Sequence, residues 1–441
     1  MHSLKDIQLK CNKQFIVNFD GGELSSDGGL LMLKEFLSTL GIEKLLKDNF
    51  KTNDPVSFRL HTDDQNLLQM IYQIFGTYYE DNCADELRHD PVLAAVLGKE
   101  ALASQPTISR FFNRMDADTL RQFDDIMCQL RKKIYSIKMP EFVLFDIDTT
   151  LLPTYGHQEG EGFNHHYQAR GYHPQLCYDG LTGDLIRAWL RNGTDYCSKD
   201  SAEFMKPVIA EYRENYPDIQ LFARGDSGFA APELYDLFED NDVKYAIRLK
   251  INSTLLKLAQ DKAESLMKAT RLNMIDYAVT YGEFYYQASS WRKPRRVVFK
   301  IEKPYNQMTY MYTFIVTNME LEAYQVIDYY CNRGRMENFI GEGKEGFDFA
   351  SVSSKSKVVN ANRLQLHALV YNLFNWFRRL ALPKHMASHL IDTVRLKLLK
   401  VATKVVHSGR YVKFKLCSSC PYKAEVYKTF ENIWQLAVQL E

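Results

Sequence analysis

Phe142-Val143-Leu144-Phe145-Asp146-Ile147-Asp148-Thr149-Thr150 is the stretch on which the reading of this chain turns. Its first four residues form a continuous apolar run, the pattern of a strand buried on both faces. Its end is acidic. A strand repeats every two residues, so Asp146 and Asp148 project from the same face.

Downstream, Gln175 to Tyr178 and Leu185 to Leu190 flank the turn Asp179-Gly180-Leu181-Thr182-Gly183, as the arms of a hairpin would. Ser201 to Asn215 then reads as a helix, Ile219 to Ala223 as a strand, Pro232 to Asn241 as a helix and Lys244 to Leu249 as a strand. Three sequential strands followed by alternating helices and strands make a mixed α/β sheet. A further acid follows the later strand, in Arg224-Gly225-Asp226-Ser227-Gly228-Phe229, where the glycines allow sharp turns and close approach of a ligand. Acids at the ends of neighbouring strands are costly to bring together unless a cation neutralises them. Oxygen ligands with open positions suit Mg²⁺ or Mn²⁺.

From Ile251 to Thr317 the segments Tyr277 to Ser289, Arg296 to Ile301 and Thr309 to Val316 alternate and are rich in aromatic and β-branched residues, which predicts a β-rich insertion before the α/β pattern resumes at Leu321. Upstream, Gly28 to Leu40, Asp63 to Tyr79, Asp90 to Leu97, Pro106 to Met115 and Asp118 to Lys133 carry helical spacing. Asp90-Pro91 and Ser104-Gln105-Pro106 place capping residues before prolines suited to a first helical turn. Thr107, Ser109, Arg110 and Asn113 on the second of these helices either face a DNA groove in helix-turn-helix fashion or line an ordinary helical hairpin. The predicted organisation is a helical region over 1–138, a mixed α/β core over 139–250 and 319–350, the insertion over 251–318, and a basic helical region over 351–441.

The 441 residues balance 55 Lys+Arg against 55 Asp+Glu, and 46% are hydrophobic, so disordered and fibrous classes are excluded. No run of 18 apolar residues and no signal-peptide core occur, which points away from membrane and secretion. Eight scattered cysteines fit a reducing cytoplasm. Between Ser351 and Lys415 stand 13 Lys/Arg and one acid, Asp392. They are interleaved with apolar residues over expected helices at Asn360 to Leu380 and Met386 to Val405, giving a basic face suited to a polyanion.

In Tyr329 to Lys344, the residues Tyr330, Arg333, Glu337 and Lys344 fall within roughly 40° of one line on a continuous helix. One stripe would carry phenol, guanidinium, carboxylate and ammonium. Glycines at 341, 343 and 346 each cost a helix about 1 kcal/mol relative to Ala, so something is expected to come close to the backbone there.

These residues resemble the DDE transposases of bacterial insertion sequences, in the group whose last acid lies in a Tyr-x2-Arg-x3-Glu-x6-Lys signature, which Tyr330, Arg333, Glu337 and Lys344 match at every position. The order of Asp148, Asp226 and Glu337 also fits, over about residues 140 to 350. The resemblance implies an RNase H-like α/β fold interrupted by the insertion, in which Asp148, Asp226 and Glu337 are catalytic and hold two Mg²⁺ (or Mn²⁺) ions. Asp146 is the rival for the first position; Asp148 is preferred because small hydroxyl residues follow it. The resemblance further implies cleavage at element ends and strand transfer into target double-stranded DNA, by a homodimer in the synaptic complex, in the cytoplasm and in association with the nucleoid. Tyr330, Arg333 and Lys344 would contact that DNA. Trp291 with Arg292 and Arg295 would form an aromatic platform in a basic patch, and Arg378, Arg379, Arg395, Lys397 and Lys400 would bind the DNA backbone. The competing readings are a nuclease or domesticated transposase of the same fold, and a non-catalytic DNA-binding protein on that scaffold.

His157, His165, His166 and His173 match no zinc spacing and read as loop histidines. Cys417 and Cys420 form half of a zinc knuckle without a second half, and read as a reduced pair.

Overall fold

The computed structural model describes residues 6–56, 58–272 and 275–440, and the chain divides into two compact units. One comprises Lys138–Lys344 with Val352–Leu364; the other comprises the residues up to Ile137, Glu345–Ser351 and Gln365 onward.

An eight-stranded mixed sheet organises the first unit: β1 Phe142–Thr149, β2 Gln175–Asp179, β3 Leu185–Trp189, β4 Gln220–Gly225, β5 Lys244–Leu249, β6 Ala278–Tyr286, β7 Arg295–Lys303 and β8 Met311–Thr317. Their spatial order is β6-β7-β8-β5-β4-β1-β2-β3. β1, β2 and β3 pair antiparallel, whereas β4 runs parallel to β1 and β5 parallel to β4. Within the β1–β4 pair, Asp146 stands opposite Arg224 and Ile147 opposite Gly225. Asp148 and Asp226, one residue further along each chain, therefore come level at the carboxyl ends of neighbouring strands.

The two faces of β1 are distinct. Phe145 meets Tyr212 of α1, Ser201–Asn215, edge to face at 5.3 Å. The opposite face carries Asp146 and Asp148. There α3, Ala323–Cys331, buries Val326 and Ile327 against Ala246, Val298 and Ile315. Between them in sequence lies α2, Pro232–Asp240.

The segment expected as an insertion is not separate from the core. Its three strands extend the same sheet, because β8 pairs antiparallel with the outer edge of β5 and β7 and β6 follow. An unpaired edge on β5 would leave a row of backbone groups without partners. Side chains reinforce the junction: Thr317 Oγ1 donates to the Tyr245 carbonyl at 2.6 Å, and Asn318 brackets Val243 and Tyr245. Two helices, Ser253–Leu258 and Gln260–Leu272, precede these strands and were not expected. The Gly- and aromatic-rich stretch after β1 folds into a small sheet of Leu152–Pro153, Gly162–Asn164 and Ala169–Tyr172.

The second unit is mostly helical, with Leu30–Thr39, Ile42–Asn49, Asp63–Phe75, Pro91–Leu97, Gln105–Asn113 and Ala117–Ile137 in its amino-terminal part. Asp90 caps its helix by accepting the Val92 and Leu93 amides, and Arg110 and Asn113 are exposed on theirs. The helix Lys357–Leu380 runs into this unit from Gln365, and Lys423–Leu440 ends it. The helix expected over Met386 to Val405 is broken: a short helix at Ile391–Val394 passes into a π-turn at Arg395–Leu399, and Thr403–Ser408 pairs with Tyr411–Leu416 as a hairpin. Thr403, Val405 and Val406 are β-branched, with Thr403 and Val405 buried on either side of the exposed Lys404, and Gly409 at φ +57° supplies the left-handed turn residue. No described helix is long and apolar enough to cross a membrane.

Candidate active site

The carboxyl ends of β1 and β4 place Asp148 and Asp226 side by side. Asp226 sits at the head of a short 3₁₀ turn, Ser227–Phe229, and its Oδ1 accepts the Gly228 amide at 2.8 Å. Asp148 accepts the Thr149 amide at 2.8 Å and pairs with Arg333 Nη2 at 2.8 Å. Burial raises the pKa of Asp148, and the Asp226 carboxylate raises it further, against the opposing pull of Arg333 and the Thr149 amide. Although burial disfavours its charge, Arg333 is held above its ordinary value by Asp148, then Tyr330, Asp226 and Asp146. Tyr330 is half-buried in the same field, its pKa raised by burial. Lys344 Nζ reaches Thr150 Oγ1 at 3.5 Å, the outer limit of a hydrogen bond. Three of the four signature residues therefore gather at the end of β1.

Glu337 does not join them; it is exposed. The continuous helix assumed in the sequence reading is interrupted, since α3 ends at Cys331, a 3₁₀ turn occupies Asn332–Gly334, and α4 runs from Arg335 to Gly346. A 3₁₀ residue turns about 120° rather than 100°, so three of them rotate everything beyond by roughly 60°. The buried side of α4 is formed by Met336 and Ile340, with Phe339 against Gly183 and Tyr178. Glu337 lies on its flank.

Asp146 has a different environment. Its two oxygens accept Arg224 Nε and Nη2, both at 2.6 Å, and neither side chain is more than 3% exposed. Arg224 also donates to the Tyr329 carbonyl at 2.7 Å and lies over the Tyr329 ring. Gly180 leaves room for this pair: a Cβ there would stand 2.2 Å from Asp146 Oδ2. Burial raises the Asp146 pKa and Arg224 opposes it. The rivalry for first acid is thus between a carboxylate locked in a buried strut and one at the rim.

Carboxylate oxygens suit a hard divalent ion, so the donor chemistry fits Mg²⁺ or Mn²⁺. The arrangement does not. Among the described residues no three His, Cys, Asp or Glu side chains stand close enough to hold a metal ion, and a guanidinium lies on Asp148.

Several expected DNA contacts are corrected by burial. Trp291 is 7% exposed, edge-on to Tyr235 and Tyr286, and Arg295 lies over it while bound to Asp236 and Glu239. An aromatic ring in the core offers no platform, and of that trio Arg292 remains exposed. In the basic tail, Arg395 is buried with Nε and Nη2 on the Phe75 and Ile74 carbonyls, which adds donors at a helix end. Arg378 is buried on Phe374 and bonded to Asn375. Lys400 pairs with Asp27 at 2.7 Å. Lys397 and Arg379 are half-buried, the former over Tyr422. Exposed cations of this region stand at Lys355 and Lys384, on the hairpin at Lys404, Arg410, Lys413 and Lys415, and on the last helix at Lys423 and Lys428.

His173 is buried with Nδ1 2.7 Å from the Asp195 carbonyl, while His157, His165 and His166 are exposed. Cys417 and Cys420 are free thiols joined by a turn in which the Cys420 amide donates to the Cys417 carbonyl. Sequence reading missed Arg224, Gly180 and Tyr167. The Tyr167 hydroxyl donates to the Thr149 carbonyl at 3.2 Å, and its pKa is pushed up to about 12 by burial and then by Asp148. The Arg-Gly-Asp order around Asp226 was the one available signal for Arg224.

The family model for transposase DDE domain group 1 matches residues 7–438. No curated protein matches the chain. Among solved structures, similarity extends to a piggyBac transposase synaptic complex with hairpin DNA, at 13% identity over 94% of this chain and 81% of that one, TM-score 0.42. It extends more weakly to a Mos1 transposase paired-end complex with the left transposon end, at 10% identity over 46% of this chain and 64% of that one, TM-score 0.18.

Proposed function

Since this chain belongs to the transposase DDE domain group 1 family, we propose that it is an insertion-sequence transposase: it cleaves DNA at the ends of its element and transfers the freed strand into target DNA. The observation that carries this reading is the level placement of Asp148 and Asp226 at neighbouring strand ends, with Tyr330, Arg333 and Lys344 around them. The strand order β3-β2-β1-β4-β5, with β2 alone antiparallel to its neighbours, supports an RNase H-like core.

In-line phosphoryl transfer gains chiefly from positioning and charge neutralisation. Asp148 and Asp226 are the acids of the site, and Glu337, exposed on α4, would be the third. Divalent ions, when bound, would supply charge neutralisation and polarised oxygen. Arg333 suits a phosphate as a planar fork and Lys344 as a point charge. The proposed partners are the element's terminal repeats, target DNA and a second copy of the chain, in the cytoplasm at the nucleoid.

The test is cleavage and joining of end DNA by Asp148→Asn, Asp226→Asn and Glu337→Gln. Each is expected to lose activity by orders of magnitude while still binding DNA. Cleavage by the unaltered protein in excess chelator would refute metal dependence. Failure to join a pre-cleaved end would reduce the protein to a nuclease.

A further inference from the structure

We propose that Arg333 is a latch: in the DNA-free protein its guanidinium holds the acid pair closed to divalent cations, and a DNA phosphate releases it. This rests on the function proposed above.

Three observations carry it. Arg333 Nη2 is 2.8 Å from Asp148 Oδ2, with the two side chains only 14% and 19% exposed, so the cation shares the carboxylate that a metal would need. A divalent ion arriving beside a resident guanidinium meets repulsion as well as an occupied ligand.

The fork is also incompletely used. Nη2 reaches Asp148 and, at 3.3 Å, the Ile147 carbonyl, but Nε is buried without a hydrogen-bond partner among the described residues. A buried unsatisfied donor is costly, and a phosphate can accept from both edges of a guanidinium. The latched state is therefore one that a phosphate can outcompete.

Third, the latch and the missing acid share a hinge. Arg333 lies inside the Asn332–Gly334 turn, four residues before the exposed Glu337. Among the described residues none stands within 4 Å of a Cβ built on Gly334, and the turn is tied to β1 through the contacts of Arg333 with Asp148 and Ile147. Withdrawal of Arg333 allows the turn to rewind, which rotates α4 and carries Glu337 back towards the acid face. DNA binding and metal binding are then positively coupled.

The experiment is titration of Mn²⁺ alone, followed by electron paramagnetic resonance, into the full DNA-free chain as wild type, Arg333→Gln, Arg333→Lys and Arg333→Gln/Asp148→Asn. Arg333→Gln is expected to bind Mn²⁺ at least tenfold more tightly than wild type, and the double variant to lose that gain. Arg333→Lys, which keeps the charge without the fork, is expected in between and guards against a misfolded glutamine variant. A short duplex of mixed sequence at low salt should tighten Mn²⁺ binding to wild type and not to Arg333→Gln. Unchanged or weaker binding by Arg333→Gln, a gain that survives Asp148→Asn, or an equal effect of duplex on both proteins would overturn the latch. If wild type cleaves DNA with Mn²⁺ while Arg333→Gln shows no gain, the latch alone falls. If Arg333→Gln gains the site but no protein cleaves, the transposase reading falls and the latch stands.

Discussion

Replacing Asp146 by Asn should destabilise the protein far more than the same change two residues later. The Asp146–Arg224 pair is bidentate, at 2.6 Å on both arms, with side chains 0% and 3% exposed. An amide keeps the shape, but it removes the charge and turns one acceptor into a donor facing donors. Removing one partner of a buried pair leaves the other uncompensated, at about 3–5 kcal/mol. For a unit of this size that lowers the melting temperature by on the order of 10 °C. Asp148 is 19% exposed, meets one guanidinium and has its charge disfavoured by burial and by Asp226, so Asp148→Asn should cost less than Asp146→Asn. Urea unfolding of the full chain, followed by far-ultraviolet circular dichroism, reads both values. Cleavage assayed below the melting point should show the opposite ranking, with Asp148→Asn inactive and Asp146→Asn largely active. If Asp146→Asn unfolds within 1 kcal/mol of wild type, the strut contributes no more than a solvated ion pair and the reasoning fails. If Asp146→Asn is also the inactive one, the first catalytic acid is Asp146.

Burial pushes Asp179 up to about 6 from 3.8, so folding favours its protonated form; the associated stability is full below about pH 4 and lost as pH rises through 6, amounting to about 3 kcal/mol. Relative to wild type, Asp179→Asn should therefore gain thermal stability between pH 4 and pH 7, and a pH-independent difference would contradict the assignment. Gly341 has open space around a built Cβ, so Gly341→Ala should stabilise α4 by up to about 1 kcal/mol; a simultaneous loss of DNA binding would show that DNA is what approaches the backbone there, and unchanged binding would remove that explanation of the glycine. Replacing Lys404, Lys413 and Lys415 by Ala should reduce the salt slope of DNA binding by up to about 3, whereas Arg395→Ala should chiefly lower the unfolding midpoint; an unaltered slope in the lysine variant would move the DNA backbone contacts elsewhere.

Much of the sheet was legible because its strands obey local rules. The run Phe142–Phe145 is apolar on both faces and, from Val143 onward, is buried on both, and the turn Asp179–Gly183 sits where the hairpin needed one. The strands of Ala278–Thr317 were legible as strands but not as members of the central sheet, since pairing with β5 depends on a register that periodicity does not encode. Cations were the least legible. Charge counting places Arg295, Arg378 and Arg395 in basic clusters, yet each is buried against carbonyls, carboxylates or rings. A long side chain with five donors serves a helix end or a strand acid as readily as a phosphate, and the sequence neighbours of an arginine do not show which.

The signature shows the same limit more sharply. Its spacing of four, then seven, defines a stripe only if every intervening residue turns by 100°, and one 3₁₀ turn at Asn332–Gly334 breaks that condition. Arg333 and Lys344 still reach the end of β1 because long side chains absorb the rotation, contacting Asp148 and Thr150. Glutamate is shorter, and Glu337 is left outside. A motif can therefore be complete in sequence while its geometry is divided. The residues that remain in place are Tyr330 and the two cations, which attract phosphate, and the one displaced is the acid, which would repel it. That division favours arrival of DNA before assembly of the third acid, the order that a latched Arg333 requires.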